Sequence, residues 1–269
     1  MRFLKFGFFA FLILAMGLNY ANAEKVLFFT PSRVMLNDAD NVETINITNL
    51  SDIARAYKIS AQDLVMDSNG ITTPVENFEY SAKRMIRFVP RQFVLKPGER
   101  QTVRIMSRVP SDQADGEYHT HIRFLEDVAK RAENNPNAGQ GAAIAAPLAY
   151  EALIPAVISH GDVNADLSIT DADIAKNGNK YRVDLTLSRS GNGQGTAYID
   201  YNLMTPDGRV VSATPRRTVY IYRELDSRTK DVEFDLPQGV SPQSKLRLTL
   251  RNSQEPNAPK LQEIDINLP

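Results

Sequence analysis

The stretch AAIAAPLAYEALIPAVI, residues 142–158, predicts a β-strand with one apolar face. Its apolar residues recur with a period of two, which is the repeat of side chains along a strand: Ile144, Ala146, Leu148, Tyr150, Ala152, Ile154, Ala156 and Ile158. Such a stripe normally packs into the core of its own domain. Here it follows a long segment rich in Asn, Ala and Gly (127–141) and precedes a polar junction (159–162). This position predicts a strand that can donate side chains and edge hydrogen bonds to another protein.

Working outward, the rest of the chain reads as short strands separated by turns. Alternating segments before residue 160 are joined by turn sequences such as Lys96-Pro97-Gly98-Glu99. Seven more strand candidates follow Gly161: 163–170, 181–188, 196–204, 219–222, 230–234, 245–250 and 263–268. Strands of this length and spacing predict an all-β chain of two β-sandwich domains in series, at residues 24–160 and 161–269. No helix is predicted, because the amphipathic signal at residues 127–133 spans two turns and lacks caps.

The first 23 residues have the features of a secretory signal peptide. Arg2 and Lys5 precede an apolar run of about 13 residues, which is shorter than the roughly 20 that a membrane span needs. Ala21 and Ala23 occupy the small-residue positions of a cleavage site. We therefore expect an exported chain with no membrane insertion after cleavage.

Composition excludes several classes of function. The 269 residues carry a formal net charge of −1, or about −3 without the leader's two basic residues, so no nucleic-acid partner is expected. There is no cysteine and no tryptophan. We find no nucleophile elbow, zinc-protease motif or phosphate-binding glycine loop, and we expect neither an enzyme nor a cofactor. His119 and His121 share a strand face, but two ligands are too few for a metal site, and a solvated or partly packed polar face is expected.

A series of motifs in the N-terminal half resembles the PapD-like periplasmic chaperones of pilus assembly. The match covers most of residues 24–160, and the Pro-Gly turn with the strand after it is its most specific part. The motifs, in order, are Arg33-Val-Met-Leu36, Ile45-Asn-Ile-Thr-Asn49, Arg87-Phe-Val-Pro90, Phe93-Val-Leu-Lys-Pro-Gly98, Gln101-Thr-Val-Arg-Ile105 and Gly116-Glu-Tyr-His-Thr-His-Ile122. The C-terminal half matches only in its β pattern and length.

The resemblance implies two immunoglobulin-like domains in an L shape and a chaperone of the periplasm. It would bind pilus or fimbrial subunits that lack a strand, and would deliver them to an outer-membrane usher. Binding in this family is strand addition, in which main-chain hydrogen bonds from the chaperone complete the sheet of the pilin. The implied donor side chains are Ile144, Ala146, Leu148, Tyr150, Ala152 and Ile154.

Arg33 matches the family's first-strand arginine, which binds the terminal carboxylate of the subunit. The family adds a lysine near the end of the donor strand, but residues 152–157 of this chain hold no Lys or Arg. The resemblance therefore implies that Arg33 acts alone or with another basic residue.

Two other functions compete with this one. The chain could be a structural subunit or adhesin of a surface fibre, but such a subunit should carry a spare N-terminal extension of alternating apolar residues. Residues 24–29, EKVLFF, are short, and their apolar run is continuous. A secreted glycosidase would need paired carboxylates in a cleft, usually with aromatic platforms, and the absence of tryptophan counts against it.

Overall fold

The computed structural model describes residues 26–135, 148–178, 180–235, 241, 243–255 and 257–269. Two of the predicted donor residues, Ile144 and Ala146, lie outside these ranges, as does the predicted signal peptide. Within the described ranges, no helix has the length and apolar character needed to cross a membrane.

The N-terminal half forms two facing sheets and a separate hairpin. Its elements are β1 (Leu27–Thr30), β2 (Val34–Asn37), β3 (Val42–Asn49), β4 (Arg55–Gln62), β5 (Leu64–Met66), β6 (Thr72–Pro74), β7 (Ile86–Val89), β8 (Gln92–Leu95), β9 (Arg100–Ser107), β10 (Gly116–Glu126), α1 (Val128–Asn134) and β11 (Glu151–His160). One sheet has the strand order β1-β3-β9-β7, and the other β2-β11-β10-β4-β8. Strands β5 and β6 pair only with each other.

The core of this half is built from the alternate residues that each sheet turns inward. Ile45 and Ile105 from the first sheet belong to one buried cluster with Phe124 and Ile158 from the second, and none of the four exposes measurable surface. Burial of these apolar side chains is the main force that holds the two layers together.

The C-terminal half is a second sandwich with its own core. Its strands are β12 (Asp166–Asn177), β13 (Lys180–Ser190), β14 (Gly195–Met204), β15 (Val210–Ile221), β16 (Ser227–Asp235), β17 (Lys245–Arg251) and β18 (Lys260–Asn267). The strand orders are β12-β13-β16 and β15-β14-β17-β18. Leu187, Ile199 and Leu248 are fully buried in a cluster that shares no residue with the first core.

This architecture confirms the predicted all-β fold of two sandwiches. Each of the seven strand candidates after Gly161 overlaps a strand of the second sandwich, although β12 and β15 extend well beyond their predicted bounds. The two separate cores are consistent with the predicted division of the chain after residue 160, and that boundary stays a prediction.

Two local expectations need correction. Residues 127–133 were expected to be non-helical, but α1 forms there, and the Asp127 carboxylate caps it by accepting the Lys130 amide at 3.3 Å. The pattern of residues 26–29 and 33–36 also predicts a single strand broken at Pro31, and this is wrong. β1 pairs with β3, whereas β2 pairs with β11 in the opposite sheet. This change of sheet places Arg33 directly before β2, next to the predicted donor strand.

Candidate functional site

The predicted donor strand has one uncovered edge over part of its length. On one side β11 pairs with β10 in antiparallel register from Glu151 to His160. On the other side β2 pairs with it in parallel, but only from Ala156 to Ser159. Among the described residues, no strand pairs with that side of the preceding segment, residues 148–155, which we term the open edge. An uncovered edge presents unpaired backbone groups that can pair with another chain.

Burial along the apolar stripe changes abruptly near Ala152. Ile154 is only 6% exposed and belongs to the chain's own core, and Ala152 is half-buried against that core. Leu148 is 83% exposed and Tyr150 is 39% exposed. The predicted donor side chains therefore divide into Leu148 and Tyr150, which a partner can reach, and Ala152 and Ile154, which face the chain's own core.

Arg33 lies where the open edge stops. Its half-buried guanidinium is held by groups of the second sandwich: Nη1 lies 3.4 Å from Oε1 of Gln194, and Nη2 lies 3.5 Å from the Tyr222 hydroxyl. The guanidinium also stacks over the ring of Tyr220, 4.0 Å from its centroid. No carboxylate of the described residues lies within ion-pair distance of Arg33. The groups that orient its positive charge are therefore neutral.

A proline stands in β11 beside Arg33. Because Ala156 is opposite Val34 in the parallel register, Pro155 is the neighbour of Arg33, and Pro155 in turn is opposite His121 of β10. Arg33 and His121 both approach Tyr222, so they share a face of the sheet. Burial, with the positive charges of His119 and Arg33, lowers the pKa of His121 to about 4. His121 is therefore neutral near pH 7.

The other histidine of the pair joins the two sandwiches. Nε2 of His119 lies 3.0 Å from Oε2 of Glu224, and Oε1 of Glu224 accepts the Met66 amide at 3.0 Å. Burial would raise the pKa of Glu224, but the hydrogen bond and charge of His119, with the Met66 amide, outweigh it and lower the pKa below its usual value. The ring of His119 also packs against Tyr222, with centroids 4.4 Å apart.

Both histidines are thus buried between the sandwiches, each 4% exposed, whereas the sequence predicted a solvated or partly packed polar face. A metal role gains no support from their surroundings. The described part of the chain contains no group of three or more His, Cys, Asp or Glu side chains placed to bind a metal ion.

A buried arginine supports the loops that carry these contacts. Arg189 is 6% exposed and donates hydrogen bonds to four main-chain carbonyls, two in the loop after β13 and two in the loop after β15. The same loops contribute Gln194 and Arg223. The main-chain amide of Gln194 donates to Oε2 of Glu117 in β10 at 2.5 Å, and the Arg223 guanidinium stacks over the ring of Tyr80. Arg33 is consequently held against a second sandwich whose own loops are fixed.

Sequence reasoning missed the groups that orient Arg33. Gln194, Tyr220 and Tyr222 are more than 160 residues away along the chain, and no local pattern marks them. The available signal was weaker. The resemblance to the chaperone family implied a role for Arg33, which precedes a short apolar strand, but it could not indicate which partners would hold the side chain.

Comparison with known proteins gives matches only among solved structures. No family model matches the chain, and no curated protein matches it. A chaperone–tip adhesin complex of CFA/I fimbriae biogenesis is similar at 12% identity and a TM-score of 0.44, over 90% of this chain and 99% of that one. The CsuC–CsuE chaperone–tip adhesion subunit pre-assembly complex of Acinetobacter baumannii is similar at 13% identity and a TM-score of 0.44, over 90% and 98%.

A third similar structure is the Salmonella enterica SafA pilin in complex with the SafB chaperone. It shows 13% identity and a TM-score of 0.42, over 90% of this chain and 96% of that one. All three TM-scores lie below 0.5, and the assignment of a function therefore depends on the residues and geometry of this chain.

Proposed function

We propose that this chain is a PapD-like periplasmic chaperone, which binds pilus or fimbrial subunits lacking a strand and delivers them to an outer-membrane usher. One observation carries the proposal: the open edge of residues 148–155 ends beside Arg33, whose charge no described carboxylate balances. The motif series in the N-terminal half supports the same conclusion, since it resembles that family from Arg33 to Ile122.

The open edge supplies the hydrogen bonds that an unfinished guest lacks. A guest strand that pairs with residues 148–155 continues the sheet in line with β2, in the space that β2 leaves uncovered. The open edge of this chain and the uncovered sheet edge of the guest then pair with each other, and the unpaired backbone groups of the guest are satisfied. Pro155 has no amide hydrogen and cannot donate to this ladder.

Leu148 supplies apolar contact. At 83% exposure its side chain makes little contact with its own domain, and burying it in the core of a guest would contribute about 1.5–3 kcal/mol. Tyr150 lies two residues further on and is half-exposed, so it can contribute on the same face. Ile154 stays in the chaperone's own core in this mechanism and does not enter the guest.

Arg33 determines which end of the guest meets the cleft. A guest strand in line with β2 must stop at Arg33, because β2 begins at the next residue. If the strand runs parallel to β11, its C-terminal carboxylate meets the guanidinium, which can bind it with two charge-assisted hydrogen bonds. If it runs the other way, a positively charged N-terminus meets a positive charge. The electrostatics favour a parallel guest strand with its carboxylate on Arg33.

Binding and release in this scheme need no nucleotide, since the completed fold of the guest supplies the free energy of exchange. The competing role as a fibre subunit gains nothing from the N-terminal strand. β1 pairs with β3 of its own sheet and is not a spare extension.

The test is periplasmic co-expression with candidate subunits encoded by neighbouring genes, each predicted to be a sandwich that lacks one strand. We expect one of them to co-purify with the wild-type chain, and Leu148→Asp to abolish that recovery because it would bury a carboxylate in the guest. Leu261→Asp is the matched control, since Leu261 is an exposed leucine of the second sandwich. If Leu148→Asp recovers as much guest as Leu261→Asp, strand donation is wrong.

A further inference from the structure

A buried group of three charges lies beneath the start of the open edge. Glu126, the last residue of β10, has a fully buried carboxylate held between two arginines. Its Oε1 accepts Nη1 of Arg55 at 2.9 Å, and its Oε2 accepts Nη1 of Arg131 at 2.9 Å. Arg131 comes from α1 and is 19% exposed at its side chain, whereas Arg55 comes from β4 and is 5% exposed.

These charged groups bind the backbone of the residues just before β11. Oε2 of Glu126 accepts the Tyr150 amide at 3.0 Å, and the Glu126 amide donates to the Tyr150 carbonyl at 2.8 Å. Nη1 of Arg131 donates to the Leu148 carbonyl at 3.2 Å. Both backbone groups of Tyr150 are therefore held by one residue, and the exposed Leu148 is held two residues earlier.

The carboxylate of Glu126 stands in for a ladder group. In an antiparallel pair the two opposed residues exchange both backbone hydrogen bonds. The register ends with Leu125 opposite Glu151, and its extension by one residue would place Glu126 opposite Tyr150. The Tyr150 amide, however, binds the carboxylate side chain instead of the Glu126 carbonyl. The regular ladder ends here, and charge-assisted bonds, which are stronger than neutral ones, continue the attachment to residues 148–150.

We infer that Glu126 and Arg131 are positioning residues for strand donation, with Arg55 holding Glu126 in place. Together they fix the register in which Leu148 is presented to a guest. The inference rests on the proposed function. Register matters because a slip of one residue would turn every side chain of the donated segment to the opposite face. A segment that is already fixed in the free protein also loses less conformational entropy when a guest binds.

The position of Tyr150 agrees with this assignment. The Arg55 guanidinium lies 5.1 Å from the centroid of the Tyr150 ring, a cation–π distance. The ring of Tyr150 thus contacts Arg55 and its backbone contacts Glu126, both of which belong to the buried group of three charges. Leu148 projects beyond the core, where a guest can reach it.

The first measurement uses the free full-length protein. Arg131→Gln removes the bond to the Leu148 carbonyl and one ion pair of Glu126, and we expect amide hydrogen exchange at Tyr150 to accelerate at least tenfold. Exchange at Ile158, in the core part of β11, should not change. The matched control is Arg123→Gln, because Arg123 binds Glu151 of β11 at 2.7 Å on the exposed surface without touching residues 148–150. Arg131→Lys should restore most of the protection.

The second measurement uses the guest recovered with the wild-type chain in periplasmic co-expression. We expect Arg131→Gln to reduce its recovery at least fivefold and Arg123→Gln to leave it unchanged. Unchanged exchange at Tyr150 in Arg131→Gln would overturn the inference whatever the guest does. Faster exchange with full recovery would also overturn it, while loss of recovery in Leu148→Asp would still support the proposed function.

Discussion

The contrast between Leu148 and Ile154 gives the sharpest prediction. Both belong to the same apolar stripe, but Leu148 is 83% exposed and Ile154 only 6%. Truncating Ile154 to alanine removes three buried carbon atoms from the first core, and such changes cost about 2–5 kcal/mol of unfolding free energy. Truncating Leu148 to alanine removes almost no packing within the chain, and we expect a change within about 0.5 kcal/mol.

Truncation of Leu148 should weaken guest binding, although it should hardly change the stability of the free protein. If the side chain enters the core of a guest, Leu148→Ala loses about 2 kcal/mol of burial, which corresponds to roughly 30-fold weaker binding. The assays are urea unfolding, compared by midpoint at constant slope, and the dissociation constant for a co-purified guest. If Leu148→Ala destabilises the free protein as much as Ile154→Ala, residue 148 packs into its own domain and the reasoning fails.

Three further predictions concern charged and titratable groups. Burial, with the charges of His119 and Arg33, lowers the pKa of His121 to about 4 from its ordinary 6.5. Between pH 4 and 6.5 the His121 side chain is therefore protonated in the unfolded chain but neutral in the folded chain. The unfolding free energy should therefore fall by about 3 kcal/mol as the pH drops from 6.5 to 4, and in urea titrations His121→Phe should lack this component. Arg33→Ala should reduce guest recovery more than Arg100→Ala, an exposed arginine of the other sheet, and equal recovery would remove Arg33 from the site. Arg189→Met leaves four loop carbonyls without their donor and should lower the unfolding free energy by about 3 kcal/mol or more, and a loss below about 1 kcal/mol in urea would contradict this.

The sequence was sufficient for the architecture because the strands follow local rules. Alternation in residues such as Val103 and Ile105 indicates both a strand and its inward face, and turns such as Lys96–Glu99 indicate where strands end. The missed helix had a local signal as well. Asp127 stands at the cap position before α1, but a seven-residue helix is too short to be strong in periodicity.

The candidate site could be predicted only in part, because long-range pairing decides it. The stripe from Leu148 to Ile154 has one uniform pattern, and the pattern cannot tell which residues face the chain's own core and which face a partner. That boundary lies near Ala152, and it depends on which residues of the stripe the rest of the first core covers. The neutral state of His121 and the partners of Arg33 depend likewise on a second sandwich that no local motif specifies.

The short length of β2 has a consequence for the choice of partner. Between Leu148 and Pro155 the uncovered segment has eight residues and spans about 26 Å at the usual rise of a strand. Arg33 marks one end of this segment, and its guanidinium cannot move away from Tyr220 without losing the stacking contact. Under the proposed function, a guest would be selected by how far its final carboxylate lies from the gap in its core, so proteins with unrelated sequences but the same spacing would compete for one chaperone.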